Sequence, residues 1–338
     1  MRMKKLRQYI GIITLLLVAG VMGSCVKENF SETNKSETAT VTLRVNESRA
    51  VDTADPEDNE GIKTLRVIVV DKSTNLVEFN FKQDYRDEAN PLTQKTITFM
   101  GMTIGEKDFY VVANEESIGL TEENYPIVGG KIEDDFLSYI VKDAARESFP
   151  KLKSEIEEKG LPITGYENVS VSGNSNIDID IYYAVSKISL SFINNTGSDI
   201  SISGFTLGNF LENGTSLFKE GGVLTDQDDV TSSSGTKEVN KVIKAGSYND
   251  IPDNKDLLVF YVYETDEEPD NYKIALTSEA SNVSIGTLKQ FLTQKSILRN
   301  NWIQVVATIN LNAKEINIDF NFSVRKWDEK EIDVPSFS

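Results

Sequence analysis

The sequence predicts a mainly β protein of two domains, with a short helical insertion in the first. Segments in which apolar and polar residues alternate recur along the chain, as expected for strands with one buried face. A helical period stands out only between residues 133 and 147, where Phe136, Ile140 and Ala144 recur every four residues. The 289 residues from Ala50 onward suit two domains of ordinary size.

The N-terminus has the features of an export signal. Four basic residues lie within the first seven and precede an apolar stretch from 10 to 21, which is too short to span a membrane as a mature helix. Small residues then lead to Cys25, as in a bacterial lipobox. We therefore predict a lipoprotein signal peptide at 1–24 and a lipid on Cys25. A plain secretory signal followed by a chance cysteine is the alternative.

An alternating strand follows a polar tether. Its apolar residues are Val41, Leu43 and Val45. Arg49 and Ala50 come soon afterwards, and the acidic run from 51 to 61 should be solvated and open to proteases. We therefore interpret residues 25–49 as a lipidated tether plus a first strand that a cut between Arg49 and Ala50 would remove. An ordinary first strand beside an incidental arginine would look the same.

The first domain is placed at 50–184 and should consist mostly of strands. The predicted strands are 65–70, 76–81, 96–100, 108–114 and 176–182. The run from Asp108 to Asn114 is almost continuously apolar, which favours a central strand covered on both faces. The helical insertion comprises 133–147 and two further turns at 152–159.

The second domain is placed at 185–338 and is predicted to contain strands and polar loops. The predicted strands are 184–192, 200–207, 237–243, 256–263, 271–278, 302–311 and 315–325. The boundary is set near Val185 because a new block of alternating residues starts there.

The C-terminal tail, 313–338, is strongly amphipathic. Its alternating apolar residues are Ile316, Ile318, Phe320, Phe322 and Val324, followed by Trp327, Ile332 and Val334. Amphipathic strands at both ends of a mature chain are what strand pairing between chains requires. A sandwich whose two termini lie in its own sheets would have the same pattern.

Composition excludes much enzyme chemistry. Cys25 is the only cysteine and there is no histidine, so the body of the protein lacks a disulfide, a cysteine nucleophile, a histidine base and a histidine or cysteine metal site. We expect no enzyme activity, no metal and no cofactor. Without the signal peptide, 31 basic residues face 53 acidic ones, and this net charge of −22 disfavours nucleic acid.

Several stretches together resemble the fimbrillins, the major pilus subunits of Bacteroides-group bacteria that form type V pili. The similarity is collinear over nearly the whole chain and depends on the order of short segments. These segments are Cys25, the strand before Ser48-Arg49-Ala50, 62–67, 111–114, 160–164, 187–192, 297–300 and 324–327. The long loop 221–235 and much of 195–290 are similar only in their general pattern of strands and polar loops.

The resemblance implies two transthyretin-like β-sandwich domains and export as a lipoprotein precursor to the outer-membrane surface. It further implies that an Arg-specific protease cuts after Arg49, and that the tail of a neighbouring subunit replaces the removed strand in an extracellular fimbrium supporting adhesion. The partners would be other pilus subunits, whether copies of this chain or anchor and tip subunits. The role within the pilus, as stalk, anchor or tip, is left open.

Two other functions remain at this stage. An uncleaved surface lipoprotein could serve as a pilus anchor or tip, or bind glycans through tyrosines at positions 182, 183, 261 and 263. A hydrolase would have to work with carboxylates alone, because histidine and a second cysteine are missing.

Overall fold

The computed structural model describes twelve segments of the chain. They are 37–47, 60–87, 94–132, 140–142, 151–156, 158–211, 214–218, 232–264, 273–278, 282–283, 297–312 and 315–326. Described residues from Thr38 onward belong to one compact unit. No described helix is long and apolar enough to cross a membrane.

Strands dominate the described residues, which confirms the mainly β fold. In chain order the strands are β1 (Thr38–Glu47), β2 (Thr64–Asp71), β3 (Leu76–Asp84), β4 (Gln94–Thr103), β5 (Gly105–Ala113), β6 (Ile140–Lys142), β7 (Lys151–Leu152), β8 (Ile163–Val171), β9 (Ser175–Tyr183), β10 (Val185–Asn194), β11 (Ile200–Leu211), β12 (Gly214–Ser216), β13 (Ser232–Ile243), β14 (Gly246–Ser247), β15 (Leu258–Tyr263), β16 (Lys273–Ser278), β17 (Asn282–Val283), β18 (Asn301–Asn312) and β19 (Glu315–Lys326). Short 3₁₀ helices occupy Glu115–Ile118, Glu122–Asn124, Lys153–Glu155 and Pro252–Asn254.

The predicted helical insertion is wrong where the structure describes it. Ile140–Lys142 forms β6, which pairs antiparallel with Gly214–Ser216. At 151–155 the chain forms the short strand β7 and a single 3₁₀ turn. The rest of the predicted helix, 133–139 and 143–147, lies outside the described residues. Strand pairing with a segment more than seventy residues away has overridden the local helical period.

The first sandwich is built from one hydrogen-bonded sheet of order β3-β2-β5-β8-β9-β1-β4. Only two residue pairs, Ile163 with Tyr183 and Thr164 with Tyr182, join β8 to β9, and the sheet folds into two layers at this weak seam. The layers meet again at their free edges, where Phe79 of β3 contacts Phe99 of β4 with ring centroids 5.0 Å apart.

The buried strands follow the sequence pattern. All but one residue of β2 are buried, and β5 is almost continuously buried between β2 and β8, as predicted for 108–114. In contrast, β1 and β9 bury every second residue. The strands with almost continuous runs of apolar residues therefore lie in the layer that is covered on both faces, as expected for such strands.

The second sandwich has two sheets. One has the order β19-β18-β10-β15-β7, with β14 also pairing with β10, and the other has the order β13-β11-β16-β17. Its core contains Phe192, Phe205 and Phe260 among other buried apolar side chains. The proposed domain boundary near Val185 falls between β9 and β10, which belong to different sheets.

The two hydrophobic cores meet on β15. Phe260 and Val262 face the core of the second sandwich, whereas Tyr261 and Tyr263 pack into the core of the first. Phe218 also reaches the first core, with its ring centroid 5.0 Å from that of Tyr110. The junction between the sandwiches is therefore a packed, largely apolar contact.

Candidate functional site

The strand β1 lies in the interior of its sheet. It runs parallel to β9, where Val41 pairs with Ser175 at one end and Glu47 pairs with Ile181 at the other. It runs antiparallel to β4, where Thr38 pairs with Thr103 and Asn46 pairs with Gln94. An N-terminal strand thus closes a gap between two strands that do not pair with each other. Its removal would leave two edges with unpaired backbone N–H and C=O groups.

The inward side chains of β1 fill a groove between the two layers. Val41, Leu43 and Val45 are completely buried, as predicted from their alternation, and Ala39 is buried beside them. Burial of such side chains contributes about 1.5–3 kcal/mol each to stability. A first sandwich without β1 would therefore expose a long apolar groove that favours occupation by another amphipathic strand.

The C-terminal end of β1 is fixed by a buried polar contact. Glu47 continues the inward alternation, and its carboxylate accepts a hydrogen bond from the hydroxyl of Tyr183 on β9. The same hydroxyl lies 2.8 Å from the carbonyl oxygen of Glu60. One tyrosine therefore contacts the chain on both sides of the segment 48–59, which contains the predicted cleavage site.

Glu60 is in turn held by the second sandwich. Lys187 of β10 donates to Glu60 Oε1 at 2.7 Å, and the hydroxyl of Tyr261 lies 3.3 Å from the same oxygen. The ammonium of Lys187 also lies 4.6 Å from the ring centroid of Trp302. We call Glu47, Glu60, Tyr183, Lys187 and Tyr261 the junction cluster. It connects the end of the first strand to the contact between the two sandwiches.

The junction cluster corrects one expectation. The acidic run 51–61 was expected to be solvated, but Glu60 is 4% exposed. Its charge is tolerated because Lys187 and Tyr261 supply donors from the second sandwich. One member of the junction cluster could have been found from the sequence. Glu47 continues the alternation of Val41, Leu43 and Val45, and this alternation predicts that its side chain lies on the buried face.

Substitution of Tyr183 by phenylalanine should lower the stability of the uncleaved chain. The change removes only the hydroxyl and leaves the buried Glu47 carboxylate without this donor, which should cost about 1–3 kcal/mol. Thermal or denaturant unfolding measures the loss. Tyr182→Phe is the matched control, because Tyr182 is half-buried on the other face of the same strand. Unchanged stability of the Tyr183→Phe variant would contradict a structural role for this hydroxyl.

The predicted donor tail is only partly described. Residues 315–326 form β19, which pairs antiparallel with β18 along its whole length. Glu315 pairs with Asn312 at one end, and Lys326 pairs with Asn301 at the other. Ile316, Ile318, Phe320, Phe322 and Val324 belong to this strand. Within the described sheet β19 is an edge strand. Trp327, Ile332 and Val334 lie outside the described residues, as do Cys25, Arg49 and Ala50.

The tyrosines considered for glycan stacking do not form an exposed platform. Tyr183, Tyr261 and Tyr263 are buried in the first core. Among the described residues no group of acidic side chains is arranged to hold a metal ion. Among the described residues, the candidate functional site is therefore the first strand, β1, together with the apolar groove that it fills.

A sequence model of the family described as major fimbrial subunit protein (FimA) matches residues 39–249, well over half of the chain. The chain belongs to this family. The matched part of this FimA-family protein includes nearly all of β1, the flanking strands β4 and β9, and both members of the Lys187–Glu60 ion pair. No curated protein gives a significant match.

Solved structures of fimbrial proteins share the fold of this FimA-family chain. The fimbrilin of Porphyromonas gingivalis W83 superposes with a TM-score of 0.52 at 13% identity, over 86% of this chain and 98% of that protein. The C-terminally truncated tip fimbrial protein Mfa3 of Porphyromonas gingivalis gives a TM-score of 0.51 at 14% identity, over 84% of this chain and 99% of Mfa3. The similarity therefore extends over both sandwiches.

Proposed function

We propose that the chain is a structural pilus subunit that polymerises by strand exchange. The precursor is exported with a lipid on Cys25 to the outer-membrane surface, and an Arg-specific protease cuts it between Arg49 and Ala50. The C-terminal tail of a neighbouring copy then fills the groove that β1 leaves. The product is an extracellular fimbrium that supports adhesion.

The position of β1 is the observation that carries the proposal. A strand at the very beginning of the described fold, in the interior of a sheet and with completely buried side chains, is connected onward only through the segment 48–59. One cut in that segment would separate it from the rest of the sandwich. Few positions in a folded chain allow a whole interior strand to leave after one cleavage.

The tail has the pattern that the groove requires. Apolar residues recur at every second position in 316–324, as they do at 41, 43 and 45 in β1. A donated strand would restore backbone hydrogen bonds on two edges and refill the apolar groove, with about 1.5–3 kcal/mol for each large side chain buried. Because β19 pairs with β18 here, donation involves either release of β19 or use of 327–338 beyond it.

N-terminal sequencing of the protein collected from the cell surface tests the proposal. A mature chain that begins at Ala50 in a polymer that resists SDS is the expected result. An intact chain that begins with lipid-modified Cys25 would contradict cleavage and would favour a pilus anchor or another surface lipoprotein.

A further inference from the structure

A completely buried lysine lies between two carboxylates at the end of the first sandwich where β1 begins. Lys107 of β5 has no exposed surface, and its ammonium nitrogen is 2.5 Å from Asp71 Oδ2 and 3.0 Å from Glu78 Oε2. The same nitrogen donates to the hydroxyl oxygen of Thr103 at 2.5 Å. We call these four residues the lysine cluster. One carboxylate would neutralise the ammonium, and the second gives the cluster an additional base.

Strand pairing brings the lysine cluster together. Asp71, the last residue of β2, lies directly opposite Lys107 in β5. Glu78 lies in the bulge of the β2–β3 pair, and a bulge changes the direction in which a side chain points. Both the amide and the hydroxyl of Thr103 on β4 donate to the Glu78 carboxylate. The reacting groups are therefore held by strands of both layers.

The two oxygens of the Asp71 carboxylate have different surroundings. Oδ2 faces Lys107, whereas Oδ1 accepts from the amides of Ser73 and Thr74, both at 3.1 Å, and from the Ser73 hydroxyl at 2.6 Å. Burial by itself would raise the pKa of Asp71, but hydrogen bonds from Lys107, Ser73 and Thr74 outweigh it and hold the pKa well below its usual range. Donors fixed on Oδ1 would also stabilise negative charge that develops there when a nucleophile attacks Cγ.

The lysine nitrogen lies close to the carbon that it would attack. Asp71 Cγ is one bond away from Oδ2, and Nζ is 2.5 Å from this oxygen. Reacting atoms held about 3–3.5 Å apart gain an advantage equivalent to about 10⁵–10⁸ M over groups that meet by diffusion. The side chains of Asp71 and Glu78 are only 17% and 16% exposed, so little water is present to hydrolyse an amide formed here.

We propose that Lys107 and Asp71 condense to an amide within the folded chain, with Glu78 as the base that transfers the proton. The new bond joins Lys107 Nζ to Asp71 Cγ, and Oδ2 leaves as water. No oxidant, cofactor or second protein is needed. The proposal is independent of strand exchange, because all three residues remain in the chain whether or not β1 is removed.

The protons and charges balance over three steps. First, the Lys107 ammonium gives one proton to Asp71 Oδ2, which leaves a neutral amine beside a carboxylic acid. The lone pair of Nζ then attacks Cγ, and the negative charge that moves to Oδ1 is stabilised by the amides of Ser73 and Thr74. Finally, Glu78 takes a proton from the nitrogen and passes it to Oδ2, water leaves, and the amide is complete while Glu78 is again a carboxylate.

An exposed ion pair in the second sandwich provides an internal comparison. Lys244 lies 3.0 Å from Asp199 Oδ2, and Asp199 Oδ1 accepts from the amide of Ala245 at 2.9 Å. Both charged side chains of this pair are about half-exposed. Water therefore solvates both charges and competes with the amine, so we expect this pair to stay ionic.

The amide would join two neighbouring strands of the layer that keeps its place when β1 leaves. Cys25 is the only cysteine of the chain, so a disulfide within one molecule is not available to do this. A covalent link between β2 and β5 limits the freedom of the unfolded chain and opposes unfolding of the sheet from this end.

Peptide mapping of the protein collected from the cell surface tests the proposal. The protein is fully denatured in guanidinium and digested with trypsin, which cannot cut after an acylated lysine. We expect peptide 67–72, which contains Asp71, to be joined to peptide 96–131, which contains Lys107. The joined product should weigh about 18 Da less than the sum of the two peptides, since one water is lost. No joined product should contain Lys244 and Asp199.

Two variants test the roles of the carboxylates. Asp71→Ala removes the acceptor carbon and should give only separate peptides. Glu78→Gln keeps the size of the side chain and its acceptor oxygen for Thr103 but removes the base. In chains labelled by a short pulse, we expect the joined peptide to form about 10²–10⁴-fold more slowly with this variant.

Separate peptides 67–72 and 96–107 from the natural chain would overturn the proposal and leave Lys107 as an ion-pair partner only. This result does not depend on whether any variant folds. Joined peptides that form at the natural rate in the Glu78→Gln variant would overturn the proposed proton transfer through Glu78.

Discussion

Replacement of Arg49 by alanine is expected to abolish processing and polymer formation while the chain stays folded. Arg49 lies two residues after the end of β1, so the change touches no described strand pairing. The surface protein should keep residues 25–49, retain its lipid and give no SDS-resistant ladder. Intact mass, labelling of the lipid and immunoblots of unheated samples measure the three outcomes.

Arg44→Ala is the matched control for Arg49→Ala. Arg44 lies on β1 itself, where its half-exposed side chain is 3.8 Å from Asp178. An exposed ion pair of this kind contributes little to stability, about 0–1 kcal/mol. We therefore expect the Arg44 variant to be cut and to polymerise normally. If the Arg49 variant still loses its first strand, another residue directs the cleavage.

Deletion of residues 328–338 is expected to abolish the polymer without changing the melting temperature of the monomer. The deleted residues follow the last pair of β19 with β18, Lys326 with Asn301, so no described strand pairing is lost. Cleavage after Arg49 should proceed, and monomers with an empty groove should accumulate. Ladders from unheated samples and thermal unfolding of the uncut monomer measure the two effects.

Point variants of the tail refine this result without shortening the chain. Ile332→Ser with Val334→Ser removes the apolar face, whereas Asp333→Asn changes the opposite face and serves as the control. Phe320→Asp with Phe322→Asp asks whether β19 is donated as well. A stable monomer that cannot polymerise would place the start of the donor within β19, and an unfolded monomer would make β19 part of its own core. Polymers from the chain without 328–338 would refute donation by these residues.

Local patterns predicted strands well because alternation reports which side chains a sheet buries. Val41, Leu43 and Val45 were assigned to a buried face, and all three are buried. Alternation contains no information on the partner strand. The parallel partner of β1 begins at Ser175, about 130 residues downstream, and its position became clear only from the structure.

The errors of the sequence analysis have the same physical origin. The apolar spacing at Phe136, Ile140 and Ala144 suits a helix, but pairing with Gly214–Ser216 makes 140–142 a strand. Glu60 was expected in water because it lies in an acidic run, yet donors on Lys187 and Tyr261 hold it inside the junction. In each case the deciding contact comes from a segment distant in sequence, and it outweighs the local preference.

The interior position of β1 also has a consequence for the direction of assembly. Joined to the sandwich through 48–59, the strand behaves as a ligand at an effective concentration on the order of millimolar. A cut after Arg49 turns the same contacts into ordinary bimolecular binding. Each tenfold dilution of the freed strand then makes the free energy of the bound state, relative to the dissociated state, less favourable by about 1.4 kcal/mol. In the proposed route the lipid keeps that strand at the membrane as the subunit moves into the fibre. In that route recapture of the freed strand would be rare, which would favour growth of the fibre over return to the closed monomer.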